Sequence, residues 1–207
     1  MMNVKITSNT STDLAIRLLH LIILLSFIGA YITGDAEEWH QIHMAFGYTL
    51  AIGLLLRILW QFFAVRLAKT QPIGLGRRMG MVTLFFKRDW KNPQIWYTST
   101  FLKATASSIF QLSILGLFIS LPLTVILGYF TQTLHSHTLK EIHEFFANLF
   151  LAFVFVHLAA LALNSFMLKQ WLAKRMFWGK ESTNLSTWSY VLFILVAVAY
   201  FWWWFFV

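Results

Sequence analysis

Five apolar runs, at roughly 14–33, 40–63, 106–130, 143–165 and 188–207, are each long enough, or nearly so, to cross a bilayer core at about 20 residues per helix. No other feature of the chain restricts its fold as strongly. In lipid every backbone N–H and C=O must find its partner inside the protein, so such runs are expected to be helices packed side by side. The expected fold is an all-α membrane protein with five transmembrane helices. Composition agrees: 58% of the 207 residues are hydrophobic and only 12% are charged, about half the charged share of a soluble domain. The polar leader MMNVKITSNTSTD lacks the basic start and small-residue cleavage site of a removable signal peptide, so the first run reads as a retained span. No stretch between the runs is long enough for a separate soluble domain.

The basic residues give an orientation. Between spans two and three stand Arg66, Lys69, Arg77, Arg78, Lys87, Arg88, Lys91 and Lys103, against the single acid Asp89. After span four come Lys169, Lys174, Arg175 and Lys180. The opposite loops hold Asp35, Glu37 and Glu38 with no Lys or Arg, and Lys140 beside Glu141. Positive charge stays inside. The N-terminus is therefore expected in the cytoplasm and the C-terminus outside. The net charge of +8 reads as this topology signal rather than as a nucleic-acid footprint, and no nucleic-acid partner is expected. Residues 64–105, with Pro72, Gly74 and Gly76 breaking the segment early, are expected to be loop plus a short surface helix, able to meet anionic lipid headgroups or a cytoplasmic partner.

The chain has no cysteine, which rules out disulfides, thiolate zinc sites and iron–sulfur clusters held by its own thiolates. Chemistry then falls to the seven histidines. Four lie in or at the ends of spans, His20, His43, His143 and His157, where an ionisable residue is expensive and a candidate for function. Their depths match in pairs. His20 lies about 9 Å from the inner boundary at a rise of 1.5 Å per residue, and His157 about 21 Å from the outer one, which in a core about 30 Å thick brings it to the same level. His43 and His143 both lie within about one turn of the outer boundary. Fourteen residues are nearly four turns, so His143 and His157 point within about 40° of one another and one helix face can serve two stacked sites.

Two imidazoles facing each other across a bundle suit a flat macrocycle with two axial positions, as in haem. Zinc fits less well, because it takes three or four ligands in a tetrahedron and no carboxylate or thiolate shares these levels. Gly29, Gly47, Gly53, Ala147, Ala159 and Ala160 leave room for a bulky flat ligand, or serve close helix packing, which is equally common in membranes.

The segments Arg17-Leu-Leu-His20, His40-Gln-Ile-His43-Met-Ala-Phe-Gly47-Tyr48, Arg57-Ile-Leu-Trp60, His143-Glu-Phe-Phe-Ala-Asn148 and Val156-His157-Leu-Ala-Ala160 together resemble the bacterial cytochrome b561 and nickel–hydrogenase b-type cytochrome family, over about residues 14–168. Leu21 stands where members often have Trp, and the third span matches poorly. The resemblance implies a four-helix haem-binding bundle with two bis-histidine b haems: His20 and His157 at the inner level, His43 and His143 at the outer. It also implies electron transfer between the quinone pool, ubiquinone or menaquinone, and a redox partner, a c-type cytochrome or hydrogenase-like subunit. The setting would be a bacterial cytoplasmic membrane, and the role an electron-transfer subunit compatible with a quinol oxidoreductase. On this reading residues 1–168 form the di-haem domain, and 169–207 a basic linker with the C-terminal helix.

Alternatives remain beside these assignments. His40 competes with His43 as ligand, the spacing to Gly47 favouring His43. His135 and His137 fall in the outer loop, as partner or quinol contacts or simply as solvated residues. Arg17 and Arg57 are placed to pair with haem propionates or to snorkel to the interface. The aromatic run Phe201–Phe206 suits a partner surface or a membrane anchor. The competing functional class is a cofactor-free transporter or assembly protein whose histidines bond across helices.

Overall fold

The computed structural model describes residues 14–67, 75–87, 91–96, 98–178 and 185–207; the leader, Lys69, Pro72, Gly74, Arg88, Asp89 and Lys180 lie outside them. Among the described residues the chain is all helix and turn: α1 (Leu14–Thr33), α2 (His40–Leu67), α3 (Leu75–Phe86), α4 (Pro93–Trp96), α5 (Ser99–Leu134), α6 (His137–Leu168), α7 (Lys174–Trp178) and α8 (Leu185–Phe206). Five of them, α1, α2, α5, α6 and α8, are long and apolar enough to span a membrane.

The bundle is made of two hairpins. In the first, α1 and α2 are joined through a short 3₁₀ turn at Glu37–Trp39. The would-be Cβ of Gly29 falls 2.5 Å from the Phe46 ring and that of Gly53 3.0 Å from Ile23, so both glycines serve the close approach of these helices. In the second, α5 and α6 are joined by only two residues. His135 takes the left-handed conformation (φ 47°) and its N–H bonds to Thr131 O, and Ser136 is extended. His135 is thus a helix cap, and His137, expected in a loop, begins α6 and faces Glu141 at 3.5 Å. The hairpins meet where α2 passes α5 and where Phe27 of α1 stands edge-on to Phe150 of α6, with ring centroids 5.1 Å apart. Ala30, Leu50, Leu54, Leu121 and Phe150 form the buried layer at their junction.

The fifth span packs on the outside of the first hairpin. Tyr190 stacks on the fully buried Trp60 at 4.4 Å and donates its hydroxyl to Leu56 O at 2.7 Å. Trp202 donates its indole N–H to Thr49 Oγ1 at 3.0 Å. The C-terminal aromatic run is therefore not one surface. Phe201, Trp202 and Phe205 turn to α2, while Trp203 and Trp204 point outward.

Two expectations are corrected. The described part of the 64–105 connection is mostly helix. Gly76 sits inside α3 rather than breaking the segment, and α3 packs along α5. One glycine costs a helix only about 1 kcal/mol, which packing offsets. Spans three and four also run past their apolar stretches, to 36 and 32 residues. Hydropathy marks only the apolar length, whereas capping by Thr98, whose hydroxyl accepts from Phe101 N, and pairing of α5 with α6 carry the helices beyond it.

Charge separates along the bundle. Asp35, Glu37, Glu38, Glu141 and Glu144 are exposed at the end where α2 and α6 begin, and among the described residues Lys140 is the only Lys or Arg beside them. Lys103 and Lys169 mark the opposite, basic end, where α5 begins and α6 stops.

Candidate functional site

The histidines meet in the seam between the hairpins. At the acidic end the His43 and His143 rings lie 6.3 Å apart, centre to centre, and nearly perpendicular at 89°. His43 Nδ1 is 2.8 Å from Ala30 O and His143 Nδ1 is 2.8 Å from Thr124 O. A carbonyl can only accept, so both Nδ1 atoms carry the proton and donate it. Each Nε2 then holds the lone pair, the tautomer a metal ligand needs. Each carbonyl belongs to the neighbouring helix of the same hairpin, so packing and ring orientation are set together.

Towards the basic end, His157 and His20 are electrostatic neighbours, and Arg57 lies within range of His20. Arg17, one turn before His20, is 9% exposed. His157 stacks on Phe110 with centroids 4.8 Å apart, and its Nδ1 is 3.3 Å from Ser113 Oγ. The structure therefore brings His43 to His143 and sets His20 near His157. The other histidines are engaged elsewhere: His40 Nε2 bonds Gln132 Oε1 at 2.9 Å, and His135 and His137 belong to the hairpin turn and its first helical residue.

The donor set fits a haem. Two imidazoles on opposite sides of one metal atom have ring centres about 6 Å apart, from two metal–nitrogen bonds of about 2.0–2.1 Å plus the ring radii, and the His43–His143 separation matches this. Among the described residues no three His, Cys, Asp or Glu side chains converge as a tetrahedral metal would need. Gly47 lies one turn after His43 on the same face, and a Cβ there would meet nothing within 4 Å. It leaves open the space beside the imidazole that a broad planar ligand needs. The six small residues of the sequence thus divide: Gly29 and Gly53 pack helices, Gly47 opens space, and Ala160 is buried, Ala147 half-buried and Ala159 exposed on α6.

Sequence reasoning missed the contribution of α5. This helix supplies no histidine to either pair, yet it gives the Thr124 carbonyl to His143 and the Phe110 ring and Ser113 hydroxyl to His157. Gly128 lets His143 come close, for its Cβ would lie 3.0 Å from His143 Cε1. The available signal was a helical repeat of small residues, Ser113, Gly116 and Ser120, on a span otherwise rich in Leu, Ile and Phe.

A family model described as prokaryotic cytochrome b561 matches residues 11–179, which takes in both pairs. No curated protein and no solved structure matches the chain.

Proposed function

Because the chain belongs to the prokaryotic cytochrome b561 family, a group of membrane b-type cytochromes that transfer electrons, we propose that it holds two haems b, ligated by His20 with His157 and by His43 with His143, and passes electrons between membrane quinone and a redox partner. The single observation that carries this reading is the His43–His143 pair, with ring centres 6.3 Å apart and both Nδ1 protons donated to main-chain carbonyls. Haem iron supplies the one-electron redox chemistry. The chain's own residues orient the imidazoles, keep Nε2 as the basic nitrogen and exclude water from the seam with Phe27, Leu50 and Phe150. Arg17 and Arg57 are assigned to the propionates of the haem at the basic end, where guanidinium recognises carboxylate.

We place the basic end in the cytoplasm and the acidic end in the periplasm of a bacterial membrane, from the positive-inside bias. Residues 1–168 form the haem unit and 169–207 the linker and fifth helix. The partner is assigned to the acidic end, where the exposed carboxylates around the His43–His143 level suit a c-type cytochrome or other redox subunit with a basic face. Quinone is assigned elsewhere than the groove between α2 and α5. That groove is lined by Ala51, Leu54, Ile58, Pro122, Val125 and Ile126 and offers no hydrogen-bonding group for a quinone head.

Pyridine haemochrome analysis of the purified, folded chain is expected to give two haems b per polypeptide; one or none overturns the reading. A reporter active only in the cytoplasm, fused after Val207, is expected to be silent, and a signal from it would reverse the orientation.

A further inference from the structure

Ser113 is fully buried, and its one hydroxyl proton has a defined destination. Oγ lies 2.8 Å from Phe110 O, the carbonyl three residues back on α5, a bond that serine hydroxyls inside helices commonly make. With its proton given to Phe110, the oxygen presents lone pairs to His157 Nδ1 at 3.3 Å. The donor across that contact must then be the imidazole, so His157 carries its proton on Nδ1 and its lone pair on Nε2. The Phe110 ring, stacked on His157 at an interplanar angle of 27°, fixes the plane in which this happens.

We propose that Ser113 is a positioning residue that sets the tautomer of His157 and tunes the reduction potential of the haem at the basic end. The inference rests on His157 being an axial ligand. A stronger acceptor at Nδ1–H makes the imidazole more basic, stabilises the oxidised iron and lowers the potential. His43 and His143 donate to carbonyls at 2.8 Å, whereas the Ser113 contact, at 3.3 Å, lies just past the usual range of about 2.7–3.2 Å and is the weaker one. Removing the hydroxyl takes away the acceptor that His157 Nδ1 has among the described residues, so the potential rises further.

The test is redox potentiometry on the purified holoprotein, with haem content measured alongside. In Ser113→Ala the ratio of reduced to oxidised haem at the basic end, at a fixed ambient potential, is expected to rise about tenfold, which is 59 mV for a one-electron couple. The other haem stays unmoved, and Ser113→Thr, which keeps a hydroxyl, restores the original value. If Ser113→Ala loses the haem, Ser113→Cys is compared with Ser113→Thr. The thiol is a weak acceptor, so a higher potential in the Cys variant supports the role and equal potentials overturn it. Unchanged potentials in a fully loaded Ser113→Ala protein also overturn it. His157→Ala separates the two claims: if that variant keeps both haems, the ligand assignment fails. If it loses one while the Ser113 variants leave the potentials unmoved, only the role of Ser113 fails.

Discussion

At the acidic end of the bundle, His43 and His143 lean on main-chain carbonyls of Ala30 and Thr124; at the basic end, His157 leans on the side chain of Ser113. A carbonyl acceptor belongs to the helix itself and survives any substitution that leaves the backbone in place. A hydroxyl acceptor can be strengthened, weakened or removed by one residue change. The acidic-end pair is therefore built into the packing of the two hairpins, while the basic-end pair stays adjustable. The surroundings differ in the same sense. Asp35 lies within electrostatic range of His43, whereas Arg57 lies within range of His20 and Arg17 is one turn before it.

The largest expected effect breaks the comparison outright. His43→Ala and His157→Ala should each leave one haem per polypeptide, and the two remaining spectra should differ, because they report different levels; identical spectra would mean that one site accepts either ligand set. Next in size is Arg57→Gln. Removing a positive charge near the basic-end level favours oxidised iron, so that haem alone should become harder to reduce, by on the order of tenfold in its reduced-to-oxidised ratio. Equal shifts at both haems would show a global change instead. The smallest effect concerns the acidic end. Glu37→Gln with Glu38→Gln should slow electron exchange with a basic partner by a few-fold at low ionic strength and by little at high salt, since exposed charges act mainly on encounter and are screened within about 10 Å at 0.1 M. Stopped-flow rates measured across a salt series would show a flat response if the partner docks elsewhere.

The bundle was legible in the sequence because its constraint is one-dimensional. The apolar run 14–33 coincides with α1, and α2 starts at His40 as read. The levels of the four histidines could be worked out because helix rise is constant. The ends of α5 and α6 were not legible, since Lys103 and His137 look like loop residues to hydropathy although they continue helices held by their neighbours. The helical character of α3 was hidden by Gly76, whose cost is offset by packing on α5. The supports of the histidines left almost no trace. The carbonyls of Ala30 and Thr124 have no side-chain signature at all, and Ser113 reads like any small residue at a helix contact. The third span, poorest in family motifs, turns out to hold His143 and His157 of α6, because much of what it supplies is backbone and closeness of approach.

The fourteen-residue interval between His143 and His157 amounts to about 21 Å of helix. The layer within it, around Phe27, Leu50 and Phe150, is apolar. Segments 21–33, 44–56, 104–134 and 145–156 contain no Asp, Glu, Lys, Arg or His. On the two-haem reading, charge crossing this layer is an electron unaccompanied by a proton. It traverses about two-thirds of a 30 Å core, against or along a field worth about 2.3 kcal/mol per charge per 100 mV for the full crossing. The step between the levels is then electrical work of roughly 1.5 kcal/mol per 100 mV, and the membrane voltage becomes a term in the equilibrium between the two haems.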